Sequence, residues 1–405
     1  MIMRKFGSAL CCAVLLLLTG GSKAQEAGPV PVFAVDPAWP QLPNGWVLSN
    51  VSKIVVDTHD NVWILHRPRS VPAGKVAAPP VVELDAAGKF LRGWGGDAPG
   101  YDWPDAEHNI FVDSHDNVYI TGSSPSGGSR TQNSDDMIVK FTADGKFLRE
   151  FGGRSKVTGS NDRNAVNKPG DIFVWARTGE LFIADGYRNR RVLVLDADTL
   201  TFKRMWGAFG KLPTDDAGSG GFGASGAPGR GQTRPAPEAP SIPAGIDTEG
   251  PGPDRFMGPV HGIAVSNDGI VYVADRSARR LQLFAPDGKY LDEMFLNRAG
   301  PNQGSVSGIA FSPDAAQKYM YLSDYGNSHI AVVERKTLKV LYQFGVRNAE
   351  PGNFQGVHHI AVDSRGNLYT AEVAPGARAQ KFLFKGMSPT LPANALTPAQ
   401  LASKP

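Results

Sequence analysis

Gly262–Val265, Asn267-Asp268-Gly269, Ile270–Val273, Asp275-Arg276, Arg280–Phe284, Pro286-Asp287-Gly288-Lys289 and Tyr290–Phe295 succeed one another within a single stretch of 34 residues. Four short apolar runs alternate there with turns built on Asp-Gly. Alternating apolar residues punctuated by Asp-Gly turns predict antiparallel strands joined by tight hairpins. Four such strands at a period of roughly 40–50 residues make one blade of a β-propeller.

The same unit recurs along the chain. First strands begin near Val51, His108, Gly170, His261, Ser307 and His358, which gives six blades and an all-β, six-bladed propeller. The sixth repeat has a weak fourth strand, because Phe382–Phe384 runs soon into Gly386 and a Pro/Ala-rich tail. Val30–Val35 is a β-rich segment without a repeat of its own, and it is expected to supply the outer strand of the last blade. Such closure removes the sheet edges that an open array would expose. The predicted organisation is a leader over residues 1–24, an N-terminal segment over 25–45, a propeller over 46–387 and a disordered tail over 388–405. Gly210–Gly252, rich in Gly, Pro, Ser and Ala, cannot bury a core and reads as a flexible insertion. Ser123–Asp136 is a shorter polar insertion in the second blade.

Aligned at their first strands, the repeats read Ser52-Lys-Ile, His108-Asn-Ile, Gly170-Asp-Ile, His261-Gly-Ile, Ser307-Gly-Ile and His358-His-Ile. One column therefore runs Ser, His, Gly, His, Ser, His. First strands line the axis of a propeller, so imidazoles from alternate blades converge there. A lone histidine is more often a satisfied structural residue, but three in one repeat column are not readily explained that way. Three neutral imidazoles with an open position form the ligand set of a catalytic zinc, and His108, His261 and His358 are the expected ligands. No carboxylate stands in the column, which speaks against calcium at that site.

A second column follows the second strand: His66-Arg67, Gly122-Ser123, Asp185-Gly186-Tyr187, Asp275-Arg276, Asp324-Tyr325 and Glu372-Val373. The acids read as structural acceptors for turn amides. Arg67 and Arg276 end inner strands on the metal side, where two guanidinium groups suit a substrate carboxylate; the alternative is that each pairs with an acid of a neighbouring blade. Tyr187 offers a phenol at the same rim, and a nearby cation would ease loss of its proton and fit it for base work.

With these motifs in this order, the region from Val51 to Phe384 resembles the peptidyl-α-hydroxyglycine α-amidating lyase family, six-bladed propellers of the NHL-repeat type. The resemblance rests on Val51-Ser52 with His66-Arg67, His108-Asn109-Ile110, Ala184–Tyr187 followed by Asn189-Arg190, Val260-His261-Gly262 with Ala274–Arg276, and Val357-His358. It implies a zinc on the three histidines and an active site containing Arg67, Tyr187 and Arg276. The implied reaction cleaves an N-acyl α-hydroxyglycine to a primary amide and glyoxylate, with no redox cofactor. The chain also departs from the family. His359 stands where the family has an Asp tied to a structural calcium, which puts calcium in question, although backbone carbonyls near Ile54 and Ile110 could still contribute. Gly356 replaces a Met, and Arg188 replaces a Cys. Two other readings stay open: a non-catalytic propeller that binds a protein or ligand, and a lactonase-like hydrolase on the same fold.

Composition sets the remaining bounds. Arg4 and Lys5, an apolar run through Leu15–Leu18 and Ser22-Lys23-Ala24 read as a secretory leader cut after Ala24, so a periplasmic or extracellular location is expected. Both cysteines, Cys11 and Cys12, lie inside that leader, which excludes thiolate ligands and disulfides from the rest. Losing Arg4, Lys5 and Lys23 with the leader takes the formal charge from +3 to zero. Nothing in that balance points to nucleic acid or an anionic membrane. The expected partner is a carboxylate-bearing small molecule or peptide, acting on a monomer with no membrane span after the leader is removed.

Overall fold

Five of the six turns between first and second strands start on an Asp or Ser, namely Asp57, Asp113, Ser266, Ser312 and Asp363, and three of them share one local device. Asp57 Oδ1 accepts hydrogen bonds from the backbone amides of His59 and Asn61 at 2.8 and 2.9 Å. Asp113 does the same for His115 and Asn117, and Asp363 for Arg365 and Asn367. The second carboxylate oxygen then takes the polar end of an aromatic six residues on: Trp63 Nε1 at 2.9 Å, Tyr119 Oη at 3.0 Å and Tyr369 Oη at 2.9 Å. Each acid thus ties a turn to the following strand and satisfies a buried polar ring atom.

The computed structural model describes residues 28–124, 135–156, 159–215, 250–298, 304–397 and 400–401. The expected leader and most of both insertions lie outside the described residues. Among the described residues there are six four-stranded antiparallel sheets and one short parallel pair, Trp46–Val47 with Val76–Ala77. The innermost strands, in chain order, are Val51–Val56, Glu107–Val112, Asp171–Trp175, Val260–Val265, Val306–Phe311 and Val357–Val362, and they follow one another around a common axis. The first five blades each run from the axis outward in sequence order. The sixth is completed by the N-terminal strand Val30–Asp36, which pairs antiparallel with Ala379–Ser388 as its outermost strand. The fold is a six-bladed β-propeller closed by its own N-terminus, as the repeats predict.

The apolar core lies between blades rather than on the axis. Leu65, Val81 and Trp63 of the first blade pack with Ile110, Ile120 and Phe141 of the second. Ile54 and Ile64 of the first meet Tyr369 and Ala371 of the sixth, with Trp39 inserted beside them. Phe33 of the closing strand reaches Tyr321 and Phe344 of the fifth blade, its ring 5.5 Å from that of Tyr321. Each blade buries both faces against neighbours, so the ring stands on many equivalent contacts and leaves its axis free for polar groups.

One expectation needs correction. The tail from Ser388 is too poor in apolar residues to suggest structure, yet its described part is ordered against the fifth blade. Ala395 bridges to Phe344, and the Leu396 amide donates to the Gln343 carbonyl at 2.8 Å. The outermost strand of that blade has unpaired backbone groups, and pairing with them needs no apolar side chains. Among the described residues, no helix is long and apolar enough to cross a membrane.

Candidate metal centre

The histidine column is a column of β-bulges. The pairing of first and second strands skips one residue between Val51 and Lys53, Glu107 and Asn109, Val260 and Gly262, Val306 and Gly308, and Val357 and His359. The residues left out of the ladder are Ser52, His108, His261, Ser307 and His358. A bulge re-aims side chains and lets two successive residues serve the same side of a strand. In the third blade, Gly170 precedes the strand instead. A Cβ there would lie 2.7 Å from the Val260 carbonyl oxygen and 2.8 Å from His261 Cα, so the glycine makes room for the neighbouring histidine.

The three histidines meet on the axis. Their candidate ligand atoms all lie within 4.8 Å of one another, and all three residues are buried. His261 Nε2 and His358 Nε2 are 3.0 Å apart. His261 Nδ1 is 2.8 Å from the Ser307 carbonyl oxygen, and His358 Nδ1 is 2.7 Å from that of Ser52. A carbonyl oxygen only accepts, so both Nδ1 atoms carry the proton. In neutral rings the facing Nε2 atoms then present bare lone pairs to each other. Burial holds all three imidazoles well below their ordinary pKa; nearby cationic groups, including Arg276 and Arg67, push in the same direction. They are therefore neutral and ready to donate. Two buried lone pairs pointing together call for a cation, and the carbonyl bonds fix the tautomers as outer partners of metal ligands do. The donor set suits one divalent ion with bonds of about 2.0–2.1 Å.

Tyr187 stands at the edge of this triangle, its Oη 2.9 Å from His108 Nε2 and 3.2 Å from His261 Nε2. Gly186 makes that position accessible: a Cβ on it would fall 2.1 Å from the Val260 nitrogen, on the strand that carries His261. Burial raises the Tyr187 pKa, and the Arg276 and Arg67 guanidinium groups oppose the rise. Arg276 lies with its guanidinium carbon 5.8 Å from the Tyr187 ring centre and 5.0 Å from that of Tyr325. Arg67 is buried and donates from Nε to the Glu107 carbonyl at 2.8 Å. All six sequence-predicted site residues thus gather at one end of the axis.

The acids of the second column hold turns. Asp185 accepts from the Asn167 amide, Asn189 Nδ2 and Arg191 Nε; Asp275 accepts from the Met257 and Gly258 amides and from Arg280. The second blade has no acid at that position, and Asp135, two residues before the following strand, takes over, accepting from the amides of Asp105, Ala106 and Ser124. Sequence reasoning passed over two features. Tyr325 is the second aromatic ring beside Arg276, and its ring lies 6.0 Å from that of His358. A polar layer formed by Lys53, Asn109, Asp171 and His359 lies directly beneath the histidines. Reading the repeat column one residue later would have found it.

No protein-family model matches the chain. The chain is similar to NHL repeat-containing protein 3 of Mus musculus, 26% identical over 315 residues, covering 75% of this chain and 70% of that protein. It is also similar to NHL repeat-containing protein 3 of Homo sapiens, 23% identical over 360 residues, covering 87% of this chain and 84% of that protein. A solved streptogramin B lyase structure superposes with a TM-score of 0.48 at 12% identity, covering 88% of this chain and 98% of that one.

Proposed function

We propose that this NHL-type six-bladed propeller is a zinc-dependent carbon–nitrogen lyase of the α-hydroxyglycine-amidating kind, working outside the cytoplasm. The observation that carries the reading is the pair of facing Nε2 lone pairs on His261 and His358, 3.0 Å apart and each oriented by a backbone carbonyl. His108, His261 and His358 would hold the ion. Bound there, zinc supplies Lewis acidity toward a substrate hydroxyl and lowers its pKa.

The chain's own groups supply the rest. The substrate would be an N-acyl α-hydroxyglycine, which splits into a primary amide and glyoxylate. Tyr187 takes the hydroxyl proton and returns it to the amide nitrogen as the C–N bond breaks, so the proton count closes within the site. Its phenol must ionise to do so; burial holds its pKa above the ordinary value, the Arg276 and Arg67 cations oppose that rise, and a zinc ion bound beside it would favour the ionised form. Arg276, flanked by the rings of Tyr187 and Tyr325, and the buried Arg67 would receive the substrate carboxylate. Deep burial lowers the local dielectric, which strengthens both contacts.

The test is release of glyoxylate from a synthetic N-acyl α-hydroxyglycine by the purified, zinc-loaded protein. Stoichiometric amide and glyoxylate are expected. Tight zinc binding with no turnover of any such substrate would remove the lyase assignment. The competing reading as a binding propeller draws on the opposite mouth of the axis, a funnel of about 520 Å³ lined by Ile172, Ile263, Ile309 and Phe173 together with Arg177, Asn267 and Gln317.

A further inference from the structure

Directly beneath the histidines the axis carries a second polar layer to which five blades contribute polar groups and the fifth blade a space-making glycine. Lys53 of the first blade, buried, places Nζ 2.7 Å from Asp171 Oδ1 of the third and 3.1 Å from His359 Nδ1 of the sixth. Asn109 of the second blade donates to the same Asp171 oxygen at 2.6 Å. The Ile263 amide of the fourth donates to Asp171 Oδ2 at 3.1 Å. The fifth contributes Gly308, where a Cβ would meet His359 Cα at 2.9 Å and Nδ1 at 3.2 Å. The family that the sequence resembles carries a structural calcium tied to an Asp at the position of His359. These residues do not fit that ion. Calcium takes six to eight oxygen ligands at about 2.3–2.6 Å. Here the one carboxylate in the layer is already engaged by an ammonium, and the sixth blade offers an imidazole in place of an oxygen.

We propose that the Lys53 ammonium is a tethered cation that does the work of a second metal ion. It neutralises Asp171 on the axis and joins the first, third and sixth blades at one point. A buried carboxylate without a counter-charge is strongly disfavoured, so the layer needs a positive group at this spot. A covalently attached ammonium meets that need at any calcium concentration. Desolvation lowers the Lys53 pKa and the adjacent Asp171 carboxylate opposes that shift. This layer therefore needs no divalent ion of its own, and the stability of the chain is indifferent to calcium. Lys53 also lines the funnel of the opposite face, so it stands between that funnel and the metal layer. The inference does not rest on the lyase reading and stands or falls separately from it.

Calcium titration of the zinc-loaded protein by calorimetry, with thermal unfolding in parallel, tests it. The unaltered chain should give no binding heat and no change in Tm. Lys53→Ala leaves Asp171 uncompensated and should lower Tm by roughly 4–6 °C. Millimolar methylammonium, entering the vacated space, should recover much of that loss. The double variant Lys53→Met/Asp171→Asn carries neither charge and should be more stable than Lys53→Ala even if the latter fails to fold. Calcium binding by the unaltered chain overturns the proposal. So does a Lys53→Ala protein of undiminished stability, or one that folds and that methylammonium does not stabilise, or a double variant no better than the single one.

Discussion

His261 and His358 face one another across the axis with their Nε2 atoms 3.0 Å apart, and each gives its Nδ1 proton to a carbonyl one blade further round. The acceptors are Ser307 and Ser52, the two serines of the same bulge column. For these two histidines the serine position of the next blade supplies the orienting carbonyl, whereas His108 Nδ1 has no such partner. This relationship makes the column a candidate metal centre rather than a set of buried rings.

Tyr187 is the group through which the proposed proton transfer runs. Tyr187→Phe keeps the ring and removes only the oxygen that lies 2.9 Å from His108 Nε2. The expected result is a fall in kcat of roughly 10²–10⁴-fold with unchanged metal content, as for loss of a general base. Metal analysis beside glyoxylate kinetics checks it; an unchanged kcat removes Tyr187 from the chemistry.

Arg276 is assigned to substrate binding through a planar, forked guanidinium. Arg276→Lys keeps the charge and loses the fork and the stacking between Tyr187 and Tyr325. A loss of about 1.5–3 kcal/mol in transition-state stabilisation is expected, seen as a drop in kcat/KM of some ten- to hundred-fold. A substrate analogue with an amide in place of the carboxylate should be indifferent to the same change.

His66 provides a pH signature separate from the metal. Its Nε2 lies 3.1 and 3.0 Å from the Ala78 and Pro79 carbonyls, and the Ser49 amide donates to its Nδ1 at 3.3 Å. That arrangement suits only a neutral ring, and burial lowers its pKa to about 4 from 6.5. The folded pKa lies below the unfolded one, so the unfolded chain takes up the proton first as pH falls. Stability from this group is complete above pH 6.5 and is lost progressively down to about pH 4. The loss amounts to about 3 kcal/mol. Denaturant unfolding at neutral pH and near pH 4.5 should show a smaller pH-dependent drop for His66→Gln than for the unaltered chain. Equal drops would mean that His66 is free to protonate in the fold.

The fold was legible because each blade repeats the same strand and turn chemistry, and because Val30–Val35 had no repeat to belong to. The upper layer of the axis was legible for a similar reason: His108, His261 and His358 recur in one column. The layer beneath was not. Strand alternation turns His359 and Lys53 away from the axis, and only the bulges bring them back to it. Tyr325 was hidden beside Asp324, whose structural role was the easier reading. The tail escaped because it docks through backbone pairing at Phe344 and Gln343, which leaves no trace in composition.

The most direct measurement is the zinc content of the purified protein beside that of a His108→Ala/His261→Ala double variant, both after incubation with zinc and removal of the excess. About one zinc per chain in the first and none in the second is the expected outcome for three imidazoles on one ion. No retained zinc in either, with both chains folded, would contradict the metal centre and leave the molecule a propeller without this chemistry.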